Sequence, residues 1–114
     1  MAQLRAVLRI PNVRPEDRGS IVRVVLRDTT MADALHPTVA EATGVVDPVR
    51  DEVELTLDVP PEGLDRRHRY SLWAHVDHEG TGQPGAGDLI TTQNVAVTPD
   101  DIDGRAVQVP LSRI

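Results

Sequence analysis

The eight residues Glu52 to Val59, EVELTLDV, decide the fold class. Val53, Leu55, Leu57 and Val59 alternate without a break against Glu52, Glu54, Thr56 and Asp58. Successive side chains of an extended chain point to opposite faces, so this register gives one apolar face and one wet face. A helix would scatter the same four apolar residues round its circumference. The stretch reads as a half-buried strand. Its upstream neighbours follow the same rule. QLRAVLRI (3–10) puts Leu4, Ala6, Leu8 and Ile10 on one face, and SIVRVVLRD (20–28) sets Val22, Val24 and Leu26 against Arg23 and Arg27. TVAEATGVV (38–46) is a weaker strand with Val39 and Val45 inward. TTMADALHP (29–37) shows no clear period.

Downstream, RYSLWAHVD (69–77) places Tyr70, Leu72, Ala74 and Val76 on one face, with Trp73 on the other. LITTQNVAV (89–97) and AVQVPLSRI (106–114) complete the set. Pro110 marks the last run as an edge strand, because proline has no N–H to give a ladder. Polar, proline-bearing turns separate most of the runs, and no stretch carries a helical period. The expectation is an all-β chain: a single domain over residues 1–114, folded as an antiparallel two-sheet β-sandwich of about seven strands. Leu26, Leu55, Leu57, Leu72 and Val76 are the expected core. A chain of 114 residues buries roughly two thirds of its unfolded surface and needs no covalent staple.

Composition narrows the function. There is no cysteine, hence no disulfide, thiolate nucleophile or cysteine zinc site. A net charge of −6 with aromatics at 2% argues against nucleic acid, which wants a basic surface and stacking platforms. All twelve basic residues are arginine, a bias that codon usage alone can produce. The opening MAQLRAVLRIPNV shows neither an apolar signal core nor a lipobox cysteine, and no run approaches a membrane span. The chain as it stands reads as cytoplasmic. A periplasmic or extracellular location follows if a signal peptide has been removed.

The corner LDRRHRY (64–70) carries two readings. In one, Tyr70 forms a tyrosine corner, its phenol bonding to backbone a few residues upstream, with Leu64 packed beneath. In the other, Arg66, Arg67, His68 and Arg69 form an anion-binding patch.

VRVVLRDTTMADA, ELTLDVP, LDRRHRYSLWAHVD and GDLITTQ occur in an order that resembles the YbaY/YscW-type lipoprotein family, which includes pilotin-like chaperones of secretion systems. The likeness spans residues 4–97. It implies a β-sandwich of immunoglobulin or transthyretin-like type and supplies no catalytic residue. Those relatives are lipid-anchored, which this chain's opening residues do not match.

Between two strand runs lies DHEGTGQPGAGD (77–88), which holds four of the eight glycines. A hairpin needs only about two to five residues to turn. Counted from Asp77, the loop has oxygen-bearing Glu79 and Thr81 at its third and fifth positions, Gly82 at its sixth and Asp88 at its twelfth. EF-hand loops place calcium ligands and their turning glycine at these positions. Asp77, Glu79, Thr81 and Asp88 are therefore a candidate calcium site, and calcium the one candidate cofactor. The competing reading is a long hairpin whose acids are solvated. A transition-metal set of His75, Asp77 and His78 would need a rearranged strand end, since His78 alternates to the opposite face. Ser71, His75 and Asp77 stand about 6.6 Å apart in steps along one strand face, too far for a nucleophile–base pair. Asp100 and Asp101 sit in a turn. No phosphate loop, nucleophile elbow or HExxH appears, and the chain is not read as an enzyme.

The reading that remains is a noncatalytic protein-interaction or chaperone-like module. Its partner is a protein, with edge strands and end loops as contact surfaces. Trp73, opposite the apolar face of its strand, is a candidate partner-binding anchor. Alternatively Trp73 faces the core or is covered by a loop. The second functional reading is a calcium-binding structural module. Oligomeric state is not encoded in any recognisable pattern.

Overall fold

The computed structural model describes residues 2–31, 36–60 and 64–114. Parts of the TTMADALHP connection and of the PPEGLDRRH corner, including the Ala32–Ala34 motif, lie outside the described residues. Among the described residues nine strands form two sheets: β1 (Ala2–Arg9), β2 (Ile21–Asp28), β3 (Thr38–Val45), β4 (Glu52–Val59), β5 (Tyr70–Asp77), β6 (Leu89–Ile90), β7 (Val95–Val97), β8 (Val107–Pro110) and β9 (Ser112–Arg113). The described helical content is two single 3-10 turns, Pro15–Asp17 and Pro99–Asp101. One sheet has the order β4-β1-β8 and the other β3-β2-β5-β6-β9, with β7 also pairing with β5. Every pair is antiparallel except β1 with β8.

The period-two reading sets the core. Leu4, Ala6 and Leu8 of β1, Val22, Val24 and Leu26 of β2, Leu57 of β4, and Leu72, Ala74 and Val76 of β5 are all fully or nearly fully buried. Burying one such aliphatic side chain contributes about 1.5–3 kcal/mol. Leu55 differs from the rest of the expected core. It is half-buried, packed against the cluster's margin. There it meets β3 across the sandwich: a Cβ on Gly44 would stand 2.7 Å from the Leu55 Cδ2 atom. Leu55 thus fills the space in front of Gly44.

β3 also corrects the expected register. Pairing with β2 shifts between Leu26↔Ala40 and Arg27↔Thr38, leaving Val39 as an extra residue. A bulge of this kind resets the alternation. Beyond it Ala40, Ala42 and Gly44 turn inward, and Val45, expected inside, is 58% exposed.

Nine strands appear where about seven were expected because the last two runs each break. LITTQNVAV leaves the ladder between β6 and β7. At the break, the Thr91 hydroxyl accepts the Ala74 N–H at 2.9 Å, and Thr91 N–H donates to the Ala74 carbonyl at 3.0 Å. AVQVPLSRI crosses between the sheets. β8 is an edge strand of the smaller sheet that ends at Pro110, and β9 pairs with β6 in the larger. The proline stands where the ladder stops, as its missing donor requires.

Tyr70 forms the corner. Its phenol oxygen accepts the Asp65 N–H at 2.9 Å, and Leu64 packs against the core. Three of the four basic side chains beside it have acidic partners: Arg66 with Asp100, Arg67 with Asp65, and His68 Nδ1 with Asp28 at 2.6 Å. The Thr30 hydroxyl, and after it His68, hold the Asp28 carboxyl down at about 2.

Candidate functional site

The twelve-residue loop folds back over the end of the larger sheet's outer face. Strand alternation points His75 and Asp77 outward from β5, yet they are 3% and 7% exposed. The loop that begins at Asp77 and ends at Asp88 covers them. Both bounding carboxylates turn into it. Asp77 accepts the N–H of Gly80 at 3.0 Å and of Gly82 at 2.8 Å. Both glycines have positive φ, 67° and 79°, a conformation that a side chain would strain. Asp88 accepts the His78 N–H at 3.1 Å, the Gly85 N–H at 3.0 Å and His75 Nε2–H at 2.7 Å.

The cluster extends beyond the loop. The chain turns directly after Asp77, so His78 joins the same group instead of pointing away. Its Nε2–H donates to Asp17 at 2.6 Å and its Nδ1 lies 3.6 Å from Asp88. Asp17, in the first 3-10 turn, is fully buried. It accepts a two-pronged contact from Arg113 of β9, at 2.9 and 2.8 Å, and the Arg14 N–H at 2.8 Å. Arg113 also donates to the Gly87 carbonyl at 2.9 Å. Gly87 and Asp88 bond in turn to the backbone of Ile114. Three segments far apart in sequence are thus tied together by one polar network.

The electrostatics follow from burial. Desolvation disfavours a charged Asp17, but the Arg113 guanidinium, the Arg14 amide and His78 outweigh it and hold the carboxyl well below the usual carboxylate range. Burial likewise opposes the charge on Asp88, while His75 and the amides of His78 and Gly85 pull its value down. No buried side-chain polar atom among the described residues lacks a partner.

Of the candidate calcium ligands, Asp77 and Asp88 are brought together, whereas Glu79 and Thr81 are exposed near the loop's tip. All four line a cavity of about 220 Å³. The Thr81 hydroxyl donates to the Gln83 carbonyl at 3.0 Å. One ligand atom from each of His75, Asp77 and Asp88 falls within 4.8 Å of the others, but loop amides already occupy both carboxylates. The arrangement is chemically that of a self-capped loop with a histidine–aspartate pair beneath it.

Trp73 faces away from the core and is half-buried. It lies opposite Val25, which is fully buried. The Arg27 guanidinium sits 5.2 Å above the indole, and the His75 ring is tilted against it at 5.8 Å.

Sequence reasoning missed Asp17 and Arg113. Asp17 is 61 residues from His78 and 96 from Arg113, and each sits in a segment with an adequate local reading. No local signal marks either residue as a partner of the loop.

No protein-family model matches the chain, and no curated protein matches it significantly. One solved structure does, described as an alternative pilotin from the type II secretion system of Vibrio cholerae. The match has a TM-score of 0.72 at 19% identity and covers 98% of this chain and 97% of that one. The chain shares its fold with a pilotin. The likeness spans nearly the full length of both chains. No helix among the described residues is long and apolar enough to cross a membrane.

Proposed function

We propose that this chain is a noncatalytic, protein-binding β-sandwich: a pilotin-like chaperone of the YbaY/YscW type. One observation carries the reading, the end-to-end match to a pilotin structure. The ordered motifs VRVVLRDTTMADA, ELTLDVP, LDRRHRYSLWAHVD and GDLITTQ support it independently. A module of this kind works by presenting edges and end loops to a partner chain. The reading puts the working compartment outside the cytoplasm. Crosslinking in the native host, followed by reconstitution of the recovered protein with the purified chain, tests it. The expected result is a saturable one-to-one complex with a secretion-apparatus component. A chain that binds no reconstituted protein, or that turns over a substrate, overturns the proposal.

Calcium is the second reading, favoured by the cavity that Asp77, Glu79, Thr81 and Asp88 line together. An ion there competes with the amides of Gly80, Gly82 and Gly85, so affinity falls toward about 10⁻⁴–10⁻³ M. At a hundredfold excess over the dissociation constant, binding adds about 2.7 kcal/mol. Glu79→Gln is the useful variant because Glu79 is exposed and caps nothing. A calcium-dependent rise in the thermal midpoint that Glu79→Gln abolishes is expected of a calcium loop. No rise, or an equal rise in both proteins, rejects it.

A further inference from the structure

A cleft runs along the larger sheet from Trp73 to the tyrosine corner. Beside Trp73 is a cavity of about 230 Å³ with Arg27, Gln93 and Asn94 in its wall. A second, of about 550 Å³, has Arg66, Arg69 and Ala96 in its wall. Thr29, Ser71 and Asn94 line both, so the two adjoin. The cleft lies where the last ladder on β5 breaks between β6 and β7. Its walls include residues of β2, β5 and β7, which lie side by side in that order.

The charges in this wall run against the rest of the molecule, with Arg27, Arg66 and Arg69 set against the single carboxylate of Asp100. The chain carries a net −6, yet Arg27 and Arg69 make no side-chain hydrogen bond or ion pair among the described residues. Arg66 has only an exposed contact of 3.3 Å with Asp100, the kind that contributes little. Arg27 lies over the Trp73 face. A guanidinium held over an aromatic face still has N–H donors to offer a planar carboxylate.

We infer that the cleft binds an acidic segment of a partner protein, with one carboxylate held by Arg27 over Trp73 and others by Arg66 and Arg69. This rests on the protein-binding reading and says where and by what chemistry the partner is held. Repulsion from the acidic remainder of the surface confines such a segment to the cleft and makes binding weaken with salt.

Trp73 is the chain's one tryptophan, so its fluorescence reports the site directly. The probes are acetylated, amidated heptapeptides alternating Glu, Gln or Lys with Val, and citrate as a small polycarboxylate. The Glu peptide is expected to shift Trp73 emission and perturb the amide resonances of residues 69–73 and 94–98. The Lys peptide should do neither, and Arg27→Gln should weaken the Glu peptide at least tenfold. Arg50→Gln, which lines neither cavity, should leave binding unchanged. Equal binding of Gln or Lys peptides, unaltered affinity in Arg27→Gln, or citrate matching the Glu peptide overturns the inference. A reconstituted partner that binds Arg27→Gln undiminished overturns it too while leaving the protein-binding reading intact. Glu-peptide binding in a chain that reconstitutes with no protein keeps the cleft and overturns that reading.

Discussion

Asp17→Asn is expected to destabilise the fold by about 3–5 kcal/mol, the range for removing one partner of a buried ion pair. The carboxylate is fully buried and receives four hydrogen bonds, two of them from Arg113. Asparagine has nearly the same volume, so the loss is electrostatic. Of the two carboxylate oxygens that accept from Arg113, it leaves one carbonyl-like acceptor, and it presents an NH₂ to donors. For a domain of this size the thermal midpoint should fall on the order of 15 °C. The double variant Asp17→Asn/Arg113→Gln should lose less than the sum of the single losses, because the unpaired cation is gone. Additive losses would show that the two side chains do not act as a pair. The same carboxyl sets an acid limit. Its folded value lies below the ordinary 3.8, so its contribution is complete above about pH 4 and declines as pH falls further. Urea midpoints measured from pH 6 to pH 2 should therefore drop below pH 4. Asp17→Asn should start lower and show a shallower decline.

Asp88→Ala is expected to cost about 3 kcal/mol and to open the 77–88 loop locally. The substitution strands His75 Nε2–H and the amides of His78 and Gly85, which Asp88 alone satisfies. A buried donor left unpaired costs roughly 1–3 kcal/mol. Relaxation of the loop to let water in keeps the total below the sum. Amide hydrogen exchange should accelerate at Gly85, Gly87 and Ile114, which are bonded within this end of the molecule, while β1 and β4 remain protected until global unfolding. Glu79→Ala in the same loop should change stability by less than about 0.5 kcal/mol, as exposed substitutions do. Equal effects from the two variants would mean that the loop is a solvated hairpin and Asp88 no more than one of its acids.

Both predictions concern residues whose role lies outside what alternation can express. Alternation served well where one strand face meets one core. β1, β2, β4 and β5 have their expected registers, because a one-residue slip would expose every apolar side chain of the strand. It misled where the backbone departs from a plain ladder. The bulge at Val39 inverted the expectation for Val45, and the breaks at Thr91 and Leu111 turned two runs into four strands. The Tyr70 corner was legible because its hydrogen bond spans five residues, Asp65 to Tyr70.

For the loop, the sequence by itself determined that Asp77 and Asp88 bound a glycine-rich segment able to adopt positive φ. It also determined that His75 shares a strand face with Asp77. Their use was decided by the tertiary structure. The loop lies back on β5, so the two carboxylates meet loop amides and buried histidines, and the network reaches Asp17 and Arg113. The sandwich brings those two together by pairing β9 with β6 beside the first 3-10 turn. A local pattern encodes which face a side chain takes, because the backbone period fixes it. It does not encode which distant charge will stand opposite, because chain crossings between sheets set that distance.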